Sequence, residues 1–204
     1  VFETFVTSRF LTFLTGALIV GAILWSNFQL SLRPGATAGF WFKQEFIEVT
    51  LSGLRFGLKA VAAAVALIGG VALQTHWMTF LLFLNAVPVG ETDPIFGRDI
   101  GFYFFELPVY TVVTDFLLLV LGVAFLLTAL SYLLGGHLGY RDGFRLSTRA
   151  RIHLTVLLGV TLAFLSIHFW LQRFSILYSQ TGVVYGAGYT DVNAWLPCYW
   201  LLCI

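Results

Sequence analysis

The chain has 204 residues, of which 59% are hydrophobic and only 10% charged, with a mean hydropathy of +0.90. An ordinary globular domain carries about 25% charge, so the composition excludes a soluble fold and points to an integral membrane protein. A net charge of +1 provides no basic face for nucleic acid, and Cys198 and Cys203 lack the neighbouring Cys or His that a zinc site needs.

A bilayer core of roughly 30 Å requires about 20 mostly apolar residues per helix, and four segments meet that length. The first span covers about 10–32 and is stopped by Arg33-Pro34-Gly35. From Pro34 to Ser52, Trp41, Phe42 and Phe46 alternate with Lys43, Glu45 and Glu48, a mixture suited to a segment lying along the membrane surface. The second span, about 54–73, is rich in small residues four apart: Gly53 and Gly57, Ala60 and Ala64, and Ala62, Ala66 and Gly70. Such rows let helix backbones approach closely in lipid, where hydrophobicity gives no drive to associate.

Residues 74–87 are too few to cross and form a short interfacial or re-entrant helix, with His76, Trp77 and Asn85 at its ends. The third span covers about 108–134, opening on Pro108 in the first helical turn and ending at Gly135-Gly136. The fourth covers about 152–177. After Pro197 the run PCYWLLCI begins a fifth. These elements define an all-α polytopic transmembrane helix bundle, a single transmembrane domain over 1–204. The start at Val1 and the short last run indicate a piece of a longer protein.

Basic residues mark the cytoplasmic side. Placing the loops after the first and third spans inside collects Arg33, Lys43, Arg55, Lys59, Arg141, Arg145, Arg149 and Arg151 there and leaves Arg9, Arg98 and Arg173 outside. Val1, the Asp93 region and the Tyr189 region are then extracytoplasmic, and the Arg141 to Arg151 loop is cytoplasmic. The expected location is a cell membrane, crossed several times.

The stretch ETDPIFGRDIGFYFFELPVY, residues 91–110, concentrates charges, turn formers and aromatics between nearly pure hydrocarbon. Asp93-Pro94 initiates a turn, Gly97 tolerates positive φ, and Arg98-Asp99 places opposite charges where an ordered loop locks them. Phe102 to Phe105 lie at headgroup level. Glu106 and Pro108 start the third span, the carboxylate being favourable near a helix N-terminus. The carboxylates of Glu91, Asp93, Asp99 and Glu106 fit no cation-binding loop, and no nucleophile or metal set stands near them for hydrolysis. They are expected to be solvated or salt-bridged.

Ionisable groups inside a membrane are costly and therefore functional candidates. Asp115, about two turns into the third span, and Arg173, near the outer end of the fourth, should share a depth and form an ion pair or a water-bridged contact, the alternative being that each separately reaches the interface. His168 has Gln172 one turn on and is expected to be hydrogen-bonded in the core, axial ligation of a haem or chlorophyll being the alternative. His76, His137 and His153 lie near membrane boundaries and should meet water. Gly135, Gly139, Gly182, Gly186 and Gly188 are turn residues rather than a nucleotide fingerprint, because no strand precedes them.

The string DPIFGRDIGFYFFELPVY, the opening VFETFVTSRF with WSNFQL after it, and YSQTGVVYGAGYTDVNAWLP resemble Uncharacterised Protein Family 0182, large membrane proteins of bacteria and archaea. The resemblance covers essentially the whole chain. It implies a much longer protein, a bundle of about seven membrane helices followed by a large extracytoplasmic domain. This chain would begin just before the second helix and break off as the sixth begins, and its ending WLPCYWLLCI departs from the family's aliphatic helix. The resemblance transfers no catalytic residues.

Three expectations of function follow. A structural or accessory component, without enzymatic activity, would anchor an extracytoplasmic domain or dock beside other membrane-protein subunits. A transporter or channel would require a polar path at the midplane or broken helices, and only residues 74–87 favour it. A haem- or chlorophyll-binding subunit would rest on His168.

Overall fold

The computed structural model describes residues 2–31, 44–134, 138–139, 145–179 and 186–203. Arg33-Pro34-Gly35, Trp41 to Lys43, Gly135 to His137, Arg141, Asp142 and Gly182 lie outside the described residues, as do the side chains of Glu45, Phe46, Glu48, Arg55 and Arg145. In chain order the helices are α1 (Phe2–Ser31), α2 (Gln44–Gln74), α3 (Trp77–Leu84), α4 (Leu107–Leu134), α5 (Thr148–Gln172) and α6 (Leu196–Leu202). A two-residue antiparallel pairing joins β1 (Leu138–Gly139) to β2 (Arg145–Leu146). The fold is all-α, and four helices are long and apolar enough to cross a membrane: Phe2–Ser31, Phe56–Gln74, Phe102–Leu133 and Thr148–Tyr178. Leu18, Leu119, Leu126 and Val156 point outward from them, as a lipid-surrounded surface requires.

The helices outrun the apolar spans read from the sequence. α1 starts at Phe2 rather than near residue 10, and α2 already runs from Gln44, so the second half of the expected surface segment is helix continuous with the span. Hydropathy locates the stretch that lipid can surround, whereas backbone hydrogen bonding continues through polar turns. In α1 the Thr12 hydroxyl donates to the Ser8 carbonyl at 2.9 Å, and Arg9 lies over the Phe5 ring one turn back, 5.0 Å from its centroid. At 30 residues, α1 is about 45 Å long, enough to carry its polar first turns beyond the hydrocarbon.

The described residues form two compact units, Val1–Trp77 with Leu119–Gly159 and Met78–Leu118 with Val160–Ile204, whose boundaries fall within α3, α4 and α5. In the first, α1 buries the stripe Gly16, Val20, Leu24, Asn27, Phe28 and Ser31, three to four residues apart as one helix face demands. The small-residue expectation for α2 holds at its C-terminal end. A Cβ added at Gly70 would lie 2.8 Å from the Phe13 carbonyl oxygen, and one at Gly16 would lie 2.9 Å from Leu73 Cβ. Gly53 and Gly57 meet nothing within 4 Å, so only part of the row forms the contact. In the second unit the core is Phe102, Tyr103, Leu107, Leu171 and Phe174, with Phe96 and Leu177 packed against it.

Two helix starts in this second unit share one device. A π-helical turn, Phe102–Glu106, leads into Leu107-Pro108, and another, Asp191–Trp195, leads into Leu196-Pro197. Leu107 N–H donates to the Phe102 carbonyl and Leu196 N–H to the Asp191 carbonyl, five residues back in each case. Proline has no N–H and its ring crowds the carbonyl four residues earlier, so a widened turn relieves the crowding. It also leaves the Tyr103 carbonyl, five residues before Pro108, without a backbone donor. The Tyr178 hydroxyl donates to that oxygen at 3.4 Å.

Candidate functional site

The stretch between α3 and α4 is an ordered, tightly bonded turn, most of whose residues from 85 to 98 are exposed. Thr92 and Asp99 form an isolated antiparallel bridge, with Asp93 N–H donating to the Arg98 carbonyl at 2.8 Å and Ile100 N–H to the Glu91 carbonyl at 2.9 Å. Gly97 closes the turn at φ +64° and Gly90 opens it at φ +85°, left-handed backbone that favours glycine.

Asp93 organises this turn from inside. It is 8% exposed. Its Oδ1 accepts from the N–H groups of Ile95 at 2.9 Å and Phe96 at 2.6 Å, and its Oδ2 from Arg98 N–H at 2.9 Å and the Tyr103 hydroxyl at 2.7 Å. Burial alone would raise the Asp93 carboxyl, but the Phe96 N–H, the Tyr103 hydroxyl and the N–H groups of Arg98 and Ile95 together hold it below the ordinary value of 3.8. Asp99 ties the two ends of the turn, accepting from Val89 N–H at 3.0 Å, Gly90 N–H at 2.8 Å and Gly101 N–H at 2.6 Å. Those three donors lower its carboxyl as well, that of Val89 most.

This corrects two expectations. Asp93 is buried and forms no salt bridge, and Asp99, though partly exposed, also bonds to backbone N–H groups rather than to a cation, since donors within ten residues take both oxygens of each. Arg98 is not locked to Asp99: its guanidinium lies over the Phe102 ring, 5.0 Å from the centroid. Pro94 is exposed at the turn tip, and Pro108 lies in the first turn of α4. Glu106 has only a long contact of 3.5 Å from the Tyr110 hydroxyl. Beside the turn is an open cavity of about 260 Å³, lined by Arg98, Asp99, Phe102, Phe105 and Glu106 among others. Phe102 and Tyr103 are buried and Phe104 is 62% exposed, so the aromatic run is divided between core and surface.

The expected Asp115–Arg173 pair is not formed. Asp115 bonds His168 instead, Oδ1 to Nδ1 at 2.7 Å. Arg173 lies among rings, its guanidinium 4.4 Å from the Trp170 centroid, 4.6 Å from Phe174 and 4.8 Å from Trp200. The reason is angular. His168 and Arg173 share a depth range but lie five residues apart, about 140° around a helix of 3.6 residues per turn, so the face that meets Asp115 carries only one of them. Cation–π contacts are worth roughly 0.5 to 2 kcal/mol each and accommodate an arginine that has no carboxylate beside it.

One polar group went unrecognised in the sequence. In the first unit, His153 Nε2 is 3.0 Å from Asn27 Oδ1 and His153 Nδ1 is 2.8 Å from the Tyr132 hydroxyl. Asn27 Nδ2 donates to the Ile23 carbonyl at 2.7 Å, which fixes the amide and makes Oδ1 the acceptor. Neutral His153 therefore carries its proton on Nε2, and Tyr132 donates to Nδ1. Tyr132 is fully buried and Asn27 is 9% exposed. His153, expected to meet water, is half-buried with both ring nitrogens bonded inside the protein. Its position one turn into α5 resembled a boundary, and only the distant Asn27 reveals its role.

The sequence profile of the family described as Uncharacterised protein family (UPF0182) matches residues 1–204. The chain belongs to this family. It is 36% identical over 98% of its length to a UPF0182 protein of Cupriavidus necator and 38% identical over 99% to one of Mycobacterium ulcerans, covering 23% and 21% of those proteins. A UPF0182 protein of a Synechococcus strain is 37% identical over 89% of the chain, which covers 19% of it. The chain therefore spans about a fifth of these relatives. No solved structure matches it.

Proposed function

We propose that this UPF0182 segment is a non-enzymatic structural part of a larger membrane protein, a helical anchor with an ordered rim that supports an extracytoplasmic domain or docks other membrane subunits. The observation that carries this reading is the use made of Asp93 and Asp99. Both carboxylates accept from the turn's own N–H groups, so the most chemically rich stretch of the chain fixes its own shape. A rigid rim suits a platform. In this reading the turn and the Tyr189 region are extracytoplasmic and the Arg141 to Arg151 segment is cytoplasmic in a prokaryotic cell membrane, as the basic residues favour.

The full-length protein, purified from its own membranes after mild cross-linking, should carry stoichiometric subunits. A monodisperse protein without partners that moves solute into proteoliposomes would overturn the proposal and favour transport. Orientation is tested by single cysteines: Ile95→Cys should react with an impermeant maleimide on intact cells and Arg145→Cys only after lysis.

A second reading draws on the Asp115–His168 pair. A carboxylate on Nδ1 leaves Nε2 as the ligating nitrogen, the arrangement by which proteins orient metal-bound imidazoles. If this pair holds haem or chlorophyll, the purified protein absorbs in the visible range and His168→Ala abolishes the band.

A further inference from the structure

The groove at the start of α1 has the chemistry of a lipid site. Phe5, Val6, Phe10 and Phe13 of α1 and Gln74 at the end of α2 line an open cavity of about 520 Å³, and Arg9 is its cation. Gly70 brings α2 against the Phe13 backbone, which sets the floor, and Trp77 packs edge-on against Phe5 at 5.0 Å, which sets the rim. Arg9 Nε is buried and has no hydrogen-bond partner. Among the described residues the only carboxylate within salt-bridge distance of a basic side chain is Asp115, beside His168, so none neutralises Arg9.

An arginine anchored over one ring, with an unsatisfied N–H and apolar walls along a helix apolar enough to cross a membrane, suits an anion that carries its own hydrocarbon. Free phosphate would satisfy the charge and leave the walls of Val6 and Phe10, 46% and 61% exposed, without contact. We infer that the Arg9 groove binds an anionic phospholipid, its phosphate held by Arg9 and Gln74 and an acyl chain lying along Val6, Phe10 and Phe13. Charge complementarity favours this occupant over a second protein helix, since no acid lines the groove.

The test uses the full-length protein in mixed micelles holding equal phosphatidylglycerol and phosphatidylcholine of identical chains, read by native mass spectrometry. Wild type should retain phosphatidylglycerol roughly fivefold over phosphatidylcholine, the ratio for about 1 kcal/mol per basic residue at a membrane surface. Arg9→Gln should bring the ratio to near one, whereas Lys59→Gln, which removes a cation lying over Trp25, should leave it unchanged. Val6→Trp, which fills the groove and keeps the charge, should also lower retention. Equal retention of the two lipids by wild type overturns the proposal whatever the variants do. So does an undiminished preference in Arg9→Gln, or displacement of the lipid by millimolar inorganic phosphate.

Discussion

The turn around Asp93 and the trio of Asn27, His153 and Tyr132 both satisfy polar side chains with partners inside the protein, by opposite means. Asp93 and Asp99 bond to partners two to ten residues away, whereas His153 reaches 126 residues back to Asn27 and 21 to Tyr132. The turn can form from its own sequence before any helix has packed. The trio exists only after α1, α4 and α5 have met. Local bonding thus gives a rim that holds its shape, and distant bonding gives helices that recognise one another.

The largest effect should come from removing the acceptor on which the local region depends. Asp93→Ala strips three N–H groups and the Tyr103 hydroxyl of a shared charged partner, and hydrogen bonds to charged groups contribute about 1.5 to 3 kcal/mol each. A local loss on the order of 3 kcal/mol, near a hundredfold faster amide exchange at Ile95, Phe96 and Arg98, is expected. Exchange at Leu24, in α1, should not change. If it did, the independence of the turn would be refuted. The same dependence appears with pH. Because the folded pKa of Asp93 lies below 3.8, its contribution is complete above that value and is lost as pH falls through the lower folded pKa. Asp99 has the same sign, so exchange at the turn should accelerate only below about pH 3.8.

Next in size is the distant region's packing. Gly70→Ala places a methyl group 2.8 Å from the Phe13 carbonyl oxygen, a backbone atom that cannot swing aside, and overpacking costs typically 1 to 3 kcal/mol. Thermal melting in detergent should drop for Gly70→Ala and not for Gly57→Ala, where the space is open. His153→Phe should cost about 1 to 2 kcal/mol by leaving Asn27 Oδ1 without its donor. A double-mutant cycle with Asn27→Leu should show coupling above 0.5 kcal/mol. Additive effects would mean the two residues act separately.

Locality also explains what could be read in advance. The four apolar spans, the small-residue face of α2 and the turn-forming roles of Asp93 and Gly97 were legible because each is written within a few residues. The Asp115–Arg173 pairing failed because depth along a helix follows from counting residues, but the direction around it depends on which neighbour packs there. His153 failed for the same reason: its partner Asn27 lies on another helix, and an isolated histidine near a span end carries no sign of it. The π-helical turns sit between these cases. Leu-Pro at 107–108 and 196–197 is visible, yet the widening depends on whether the helix begins before the proline or at it.

The smallest expected effect is the sharpest probe of the local region, because it tests backbone rather than contacts. Gly97 stands at φ +64° with nothing within 4 Å of an added Cβ, so Gly97→Ala has no clash to relieve and only the left-handed conformation to resist, roughly 1 kcal/mol. Gly97→Asn should recover much of that, since asparagine visits this region more readily. A turn held by Asp93 and Asp99 should keep its conformation in both variants, with amide exchange at Phe96 and Arg98 accelerated about fivefold in the alanine variant and less in the asparagine variant. If Gly97→Ala instead abolished protection at all of these amides, the glycine and not the carboxylates would be setting the fold of the rim.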